Sequence, residues 1–321
     1  MQLNDRIEDL SEAGHRPVLA EELAGLLEPQ PDDTVIDCTF GAGGHARRIA
    51  ADLGKDALFI GIDLDPLASR YFELFSQRQP FRCRFIYGNY ADALGQLGEK
   101  GLAADLVYLD LGVSSMQVDR PERGFSYSYN APLDMRMDRG NRVTARKLVN
   151  ELEPEELERI FRNYGEERYA RQIARRIARE RQKEPFETTL QLVDTIKAAI
   201  PTPARFGSGH PARRIFQALR IAVNDELGSL SRGLESALAV LAPGGRLGVI
   251  SFHSLEDRIV KKFFASKTGK CTCPPDFPKC VCRARAELRV ITRRPVRPSH
   301  KEIGQNPRSQ AARLRVAERL G

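Results

Sequence analysis

No stretch of this chain approaches the roughly 18 consecutive apolar residues that a membrane-spanning helix requires. The first 15 residues, Met1 to His15, are polar and mixed in charge, with no apolar core of signal-peptide length. With neither feature present, the sequence predicts a soluble, cytoplasmic protein without a membrane partner. Cysteine is scarce: six in a chain of 321 residues without a leader do not suggest a secreted disulfide scaffold. Long disordered tracts are missing too.

What is there favours a packed enzyme-sized chain. Hydrophobic residues make up 41% of it, ample for a core, and its length points to one large domain with an insertion, or to two domains. Lys and Arg outnumber Asp and Glu by 50 to 43, a formal charge of +7, and the excess is arginine clustered in two places. Net charge alone is weak grounds for a nucleic-acid partner.

The first third alternates strand-like and helix-like segments. Strands are expected at Thr34–Phe40, Ala57–Asp63, Arg84–Gly88 and Ala104–Leu111, with helices at Gly44–Leu53, Pro66–Gln77 and Ala91–Leu97 between them. Near-continuous apolar runs such as Ala57–Ile62 fit parallel strands covered on both faces. Such a doubly wound sheet binds ligands beyond the carboxyl ends of its strands.

The most informative stretch is Asp37-Cys38-Thr39-Phe40-Gly41-Ala42-Gly43-Gly44-His45, a strand end, a glycine turn and a helix start. Asp63 ends the next strand. Glycines let a backbone approach a ligand closely, and a strand-end carboxylate can accept from two ribose hydroxyls. The pattern G-x-G-x-x-[GA] with an acid about 20 residues on serves nicotinamide dinucleotides and S-adenosylmethionine alike, and such turns also match by chance.

Further on the alternation stops. Residues 117–211 read as loop and helix only, with Pro154 fitting a first helical turn and Thr188 or Thr189 a cap before Leu190–Ala199. From Pro211 to Leu241 apolar residues recur every three or four positions, until Pro243-Gly244-Gly245 ends the helices. Arg246–Phe252 is then a fifth strand, Leu255–Ala265 a helix, and Glu287–Thr292 and Arg313–Glu318 two last strands. A parallel core that finishes with a strand pair is the architecture expected of an S-adenosylmethionine-dependent methyltransferase.

At this point the chain closely resembles a known family, the bacterial 16S ribosomal RNA (cytosine-N4) methyltransferases called RsmH or MraW. The matching blocks include His15-Arg16-Pro17-Val18-Leu19, Asp37 to His45, Gly61 to Pro66, Leu109 to Ser115, Glu122 to Ser126 and Pro132 to Asp138. They continue through Tyr164 to Arg168, His210 to Arg214, Phe216 to Ile221, Asn224 to Leu227 and Ser251 to Arg258. Each is weak alone; in order, nearly end to end, they are specific. Departures at Cys38, Leu64 and Met116 remove no polar group that the chemistry needs.

The resemblance implies an α/β fold: a class I (Rossmann-like) S-adenosylmethionine-dependent methyltransferase domain over residues 1–116 and 212–321, with an inserted all-helical domain over 117–211 for RNA substrate recognition. It implies cofactor contacts at Gly43, Gly44, His45, Asp63, Tyr90, Asp110 and Gln117. The substrate it implies is N4 of a decoding-centre (P-site) cytidine of 16S rRNA, in the 30S small ribosomal subunit. From the residues, Gly43 and Gly44 N–H groups can meet the methionine carboxylate, and Tyr90 can offer a ring to the adenine or merely pack at the rim.

The expected reaction is displacement at the sulfonium methyl by an exocyclic amine whose lone pair is delocalised. Positioning and acceptors for the amine protons supply most of the acceleration. Asp110 and its loop, with Ser114, are the expected acceptors. His253 could orient the base, contact a phosphate, accept a proton after transfer, or simply hold its loop. Asp134, Arg136 and Asp138 could wall a base pocket or form an internal ion-pair cluster.

An RNA-facing surface is expected from Arg171, Arg175 and Arg179, at helical spacing with Arg168, and from Arg293 and Arg294 near Arg283, Arg285, Arg289 and Arg297, with Arg136 at the pocket. A basic stripe paired with Glu166, Glu167 and Glu180 is the plainer alternative. Cys271, Cys273, Cys280 and Cys282 could surround a structural zinc ion, but their single-residue spacing is tighter than the usual knuckle, and free thiols or redox-formed disulfides are favoured. Rival functions are methylation of DNA or protein amines, a non-catalytic RNA-binding assembly factor, and a nicotinamide oxidoreductase.

Overall fold

The computed structural model describes residues 17–113, 120–205, 209–269 and 285–321. Ser114, Gln117, Arg283 and the four clustered cysteines lie outside the described residues, as do His15 and Arg16. The chain divides into two units: Met1–Gly112 with Leu227–Gly321, and Val113–Glu226.

The first unit is built on seven strands: β1 (Thr34–Asp37), β2 (Leu58–Asp63), β3 (Arg82–Tyr87), β4 (Ala104–Asp110), β5 (Leu241–Ser251), β6 (Leu288–Val290) and β7 (Arg313–Arg319). They lie in the order β3-β2-β1-β4-β5-β7-β6. The first five run parallel, and β7 pairs antiparallel with both β5 and β6. This is the parallel core with a terminal strand pair that the sequence predicts. The strand order reverses between β1 and β4, so the crevice for a ligand lies beyond Asp37 and Asp110.

Each strand is apolar because both faces of the sheet are covered. Ile36, Ile60, Ile62, Val107 and Leu109 join Leu94, Leu230, Leu234 and Val260 of three helices in one core. On the opposite face Phe40 meets Phe72 edge-on at 5.0 Å between ring centroids, and Phe72 meets Phe85 at 5.2 Å. A Cβ on Gly61 would come within 2.6 Å of the Phe72 ring, so that strand position takes no larger residue. Burying a Phe or Leu side chain contributes roughly 1.5–3 kcal/mol, and these clusters hold the sheet rigid beneath its carboxyl edge.

Strand β5 starts earlier than expected, at Leu241, which pairs with Ala104; the next paired residue is Arg246, opposite Leu106. Pro243-Gly244-Gly245 therefore forms an irregularity within the strand and not merely a helix stop. Proline cannot donate to a ladder, and Gly244 adopts φ 82°, a left-handed conformation. The far side of the sheet is pinned by charge. Asp257 accepts from Arg315 Nε at 2.6 Å and from Arg313 Nη1 at 2.9 Å, tying the helix Ser254–Ser266 to β7.

The second unit is helical around its own core. Pro154 opens the helix Pro154–Gly165, whose Glu153/Glu156 pair forms a capping box, and Thr188 with Gln191 does the same for Thr189–Ala199. The helix Arg213–Asn224, expected in the methyltransferase domain, belongs to this unit. Its Ile215, Phe216, Leu219 and Val223 join Leu157, Phe161, Ile173 and Ile177 in the helical core. A Cβ on Gly165 would lie 2.7 Å from the Arg214 carbonyl, which records how closely the two helices approach. No helix among the described residues is long and apolar enough to cross a membrane.

Arg315 and Asp257 are both buried, and burial raises the carboxyl while the two guanidiniums beside it lower it, leaving it below the ordinary value. Replacing Asp257 by Ala should strand a buried guanidinium and destabilise the protein by about 3–5 kcal/mol, read as a fall in thermal midpoint. Because the native carboxyl is depressed, its contribution is present at neutral pH and disappears as pH falls through that lowered value.

Candidate active site

Three carboxylates end neighbouring strands at the carboxyl edge: Asp37 on β1, Asp63 on β2 and Asp110 on β4. Asp37 and Asp63 are served by N–H groups of the loops that follow β1 and β2. Asp63 Oδ2 accepts from Gly41 N–H at 2.7 Å and Oδ1 from Asp65 N–H at 2.7 Å. Burial pushes its carboxyl up to about 6 against the pull of those N–H groups. Each oxygen retains acceptor capacity, so two hydroxyl donors can still be taken.

Asp37 is more deeply placed. Its Oδ1 accepts from Thr39 N–H at 3.0 Å and its Oδ2 from the Tyr108 hydroxyl at 2.8 Å. Burial raises its carboxyl to about 7, opposed by the Thr39 N–H, the Tyr108 hydroxyl and His45, and reinforced by Asp63. Thr39 Oγ1 in turn accepts from Asp110 N–H at 2.7 Å. Tyr108 and Thr39 are site-forming residues that the sequence alone did not single out. No local signal marks them: Asp37 and Tyr108 meet because they lie in register on adjacent parallel strands.

Asp110 faces His45, whose Nδ1 lies 3.5 Å from Oδ2. The other ring nitrogen, Nε2, donates to the Val18 carbonyl at 2.8 Å. Asp110 Oδ1 is buried and has no partner among the described residues. Burial raises the Asp110 carboxyl, His45 lowers it and Glu256 raises it further. A buried acceptor left open at the strand end is what an incoming donor would satisfy.

The glycine turn works differently from expectation. Gly43 has φ 75° and its N–H donates to the Phe40 carbonyl at 2.8 Å, so this N–H closes the turn and is not available to a carboxylate. A Cβ on Gly43 would meet the Phe40 ring at 2.8 Å, so glycine is required there by the protein itself. The helix Gly44–Ala50 that follows has no side-chain cap. Gly44 and His45 are its first residues.

Tyr90 begins the helix Tyr90–Glu99, capped by Asn89, whose Oδ1 accepts from Ala91 N–H at 2.8 Å. The Tyr90 ring lies on Gly233, where a Cβ would overlap it. Tyr87, paired in register with Asp63, stands 53% exposed at the end of β3 and is a second aromatic on this rim that the sequence reading missed. His253 caps the helix Ser254–Ser266: Glu256 N–H donates to its Nδ1 at 3.4 Å, and its Nε2 lies 3.1 Å from Glu256 Oε1. Both ring nitrogens face Glu256, the geometry of the loop-holding task, which is the plainest of its expected roles.

In the helical unit Asp134 and Arg136 form an internal ion pair. Arg136 Nε and Nη2 donate to the Asp134 carboxylate at 2.7 and 2.9 Å, and Nη1 donates to the Arg139 and Asn141 carbonyls. Arg136 is thereby spent holding its loop, contrary to the RNA contact expected of it. Arg171 and Arg175 are exposed on the helix Ala170–Glu180, opposite buried Ile173 and Ile177, with no ion pair among the described residues. Arg179 is 3.7 Å from Glu180. Arg293 and Arg294, in the first unit, are exposed.

A model of the MraW methylase family matches residues 12–320. The chain is 53% identical over 309 residues to ribosomal RNA small subunit methyltransferase H of Symbiobacterium thermophilum, covering 95% of this chain and 96% of that protein. The protein of the same name from Heliobacterium mobile is 48% identical over 309 residues, covering 95% and 99%. That of Geobacter sulfurreducens is 50% identical over 313 residues, again covering 95% and 99%.

The two raised carboxyls carry a stability consequence. A group whose native value lies above its unfolded one stabilises the fold below the unfolded value and loses that contribution as pH rises through the native value. For Asp37 the rise from 3.8 to about 7 corresponds to on the order of 4 kcal/mol withdrawn by neutral pH. Asp37→Asn should therefore gain stability relative to the unsubstituted protein between about pH 5 and 8, measured by chemical denaturation.

Proposed function

The chain belongs to the MraW methylase family, and from that premise we propose that it methylates small-subunit ribosomal RNA with S-adenosylmethionine as donor. The acceptor in this reading is N4 of a decoding-centre cytidine of 16S rRNA, presented within the 30S subunit. The observation that carries it is the buried Asp110 Oδ1, without a partner among the described residues, at the switch point of the sheet, beside a glycine turn tied to a ribose-suited carboxylate.

The residues fit the cofactor. Asp63 has acceptor capacity left for two ribose hydroxyls, and the uncapped helix start at Gly44 and His45 suits the methionine carboxylate. Tyr90 and Tyr87 lie on the rim where an adenine would stack. S-adenosylmethionine supplies, when bound, a methyl carbon on a positively charged sulfur that leaves as a neutral thioether.

The protein's own work is on the amine. Asp110 Oδ1 accepts a hydrogen bond from the N4 amine, which draws the amine out of conjugation and restores its lone pair for attack. As the new N–C bond forms, N4 becomes positive and releases one proton, for which the Asp110 carboxylate is the acceptor in this reading. A carboxyl raised by burial is a better acceptor than an ordinary one, and His45 beside Oδ2 steadies its charge. His253 acts at one remove: Glu256 fixes the loop after β5 by accepting from the Phe252 and His253 N–H groups, and the His253 ring caps the helix that carries Glu256.

Arg171, Arg175 and Arg179 on one helix, and Arg293 and Arg294 in the other unit, are the phosphate contacts of this reading. They give affinity without sequence choice. The target base itself has to be unpaired or flipped to reach the strand ends.

Asp110→Ala should lower methyl transfer to 30S subunits lacking the mark by about a hundredfold or more, with the product located by mass spectrometry of rRNA fragments. Transfer at the full rate would refute the role of Asp110, and labelling of protein or DNA in place of rRNA would refute the substrate. Activity of the unsubstituted enzyme should fall on acidification at a pH above the usual carboxylate range, since burial raises Asp110. The double substitution Arg171→Glu with Arg175→Glu should weaken RNA binding and reduce the salt slope of log affinity by about 1.5–2.

A further inference from the structure

Tyr108 is fully buried, and its ring fills space that phenylalanine would fill as well. A hydroxyl in that setting is unfavourable unless partnered. Its partner is Asp37, its neighbour in the β1–β4 register, itself only 2% exposed. Neither side chain is among the groups assigned above to the cofactor or the amine.

The pair belongs to a closed circuit. The Tyr108 hydroxyl donates to Asp37 Oδ2 at 2.8 Å, and Thr39 N–H donates to Asp37 Oδ1 at 3.0 Å. Asp110 N–H donates to Thr39 Oγ1 at 2.7 Å, returning the circuit to β4 two residues beyond its start. One arm sets the first turn after β1, which leads into the glycines. The other sets the backbone of Asp110, whose Oδ1 has no partner among the described residues.

We infer that Tyr108 and Asp37 are positioning residues that set the affinity of the site for the nucleoside cofactor. Tyr108 holds the Asp37 carboxylate where it can fix Thr39 and, through it, Asp110. This rests on the cofactor reading given above.

With Asp37 ionised both of its oxygens accept; a proton on Oδ2 reverses the bond to the Tyr108 hydroxyl and removes the charge that holds Thr39 N–H. The groups facing Asp37 are Tyr108 on β4, His45 on the Gly44–Ala50 helix, Asp63 on β2 and Cys38 just past its own strand, while Asp110 acts on Tyr108. Burial raises Asp37 to about 7, and the Tyr108 hydroxyl is one of the groups pulling it down. Removing that hydroxyl moves the carboxyl further up. Cofactor affinity should then fall as pH drops through about 7 in the native protein, and begin to fall at higher pH without the hydroxyl.

The test is calorimetric binding of S-adenosylhomocysteine to the full chain between about pH 5.5 and 9, at constant ionic strength. The native protein should show two losses of affinity on acidification, one near 7 from Asp37 and one near 6 from Asp63. Tyr108→Phe should shift the upper one to higher pH and leave the lower in place, a movement that a merely structural change would not produce. Asp37→Asn keeps the shape and an acceptor for Thr39 but cannot ionise, so it should abolish the upper step alone. Should Tyr108→Phe fail to fold, Asp37→Asn decides the matter. A folded Tyr108→Phe protein with an unshifted upper step, or an Asp37→Asn protein that retains it, overturns the inference. A native protein that binds no S-adenosylhomocysteine at any pH overturns the cofactor reading, and the inference with it.

Discussion

Taking carboxylates out of water at the ends of adjacent strands is the constraint on which this site depends. A buried carboxylate without donors would be untenable, so the loops after the strands must present N–H groups to it. Gly41 folds back toward Asp63 and Thr39 toward Asp37, and the turn between β1 and its helix takes its path from those two demands. Asp110 is the exception: one of its oxygens has no donor among the described residues, and the site opens there. The rigidity of the sheet beneath, with its aromatic cluster on one face and aliphatic core on the other, keeps the three groups from escaping to solvent.

The arrangement sets stability against function. Asp37 and Asp63, raised to about 7 and about 6, weaken the fold at the pH at which their charged forms are needed to accept hydrogen bonds. That opposition is what active-site carboxylates commonly show, and it accounts for a buried tyrosine hydroxyl where a phenylalanine would pack. Charge elsewhere is arranged for stability alone: Asp257 with Arg313 and Arg315 clamps the antiparallel end of the sheet, and Asp134 with Arg136 closes a loop in the helical unit.

Much of this architecture was legible in the residues. Alternating strand-like and helix-like segments located all seven strands, and Pro154 and Thr188 marked helix starts that the structure reproduces. The helix Arg213–Asn224 was assigned to the wrong unit because its apolar stripe continues in phase toward Leu241; periodicity tells which face is buried, not against what. Gly43 was read as a ligand contact when its conformation and the Phe40 ring already require glycine. For His253 and Arg136 the sequence leaves a chemical and a structural role open; Glu256 and Asp134, three and two residues away, lie against them in the structure.

By itself the sequence determined which residue types reach the carboxyl edge, because strand length and the turn residues after each strand place Asp37, Asp63 and Asp110 at strand ends whatever else happens. Through its ordered motifs it also determined the family. Only the tertiary structure decided how those carboxylates are partnered. Tyr108 and Asp37 are 71 residues apart in the chain, as are Thr39 and Asp110, and each pair meets only because β1 and β4 lie side by side. Hydrogen bonds of that span carry no local signature, since short-range propensity records a residue's own backbone and not the strand that will lie beside it.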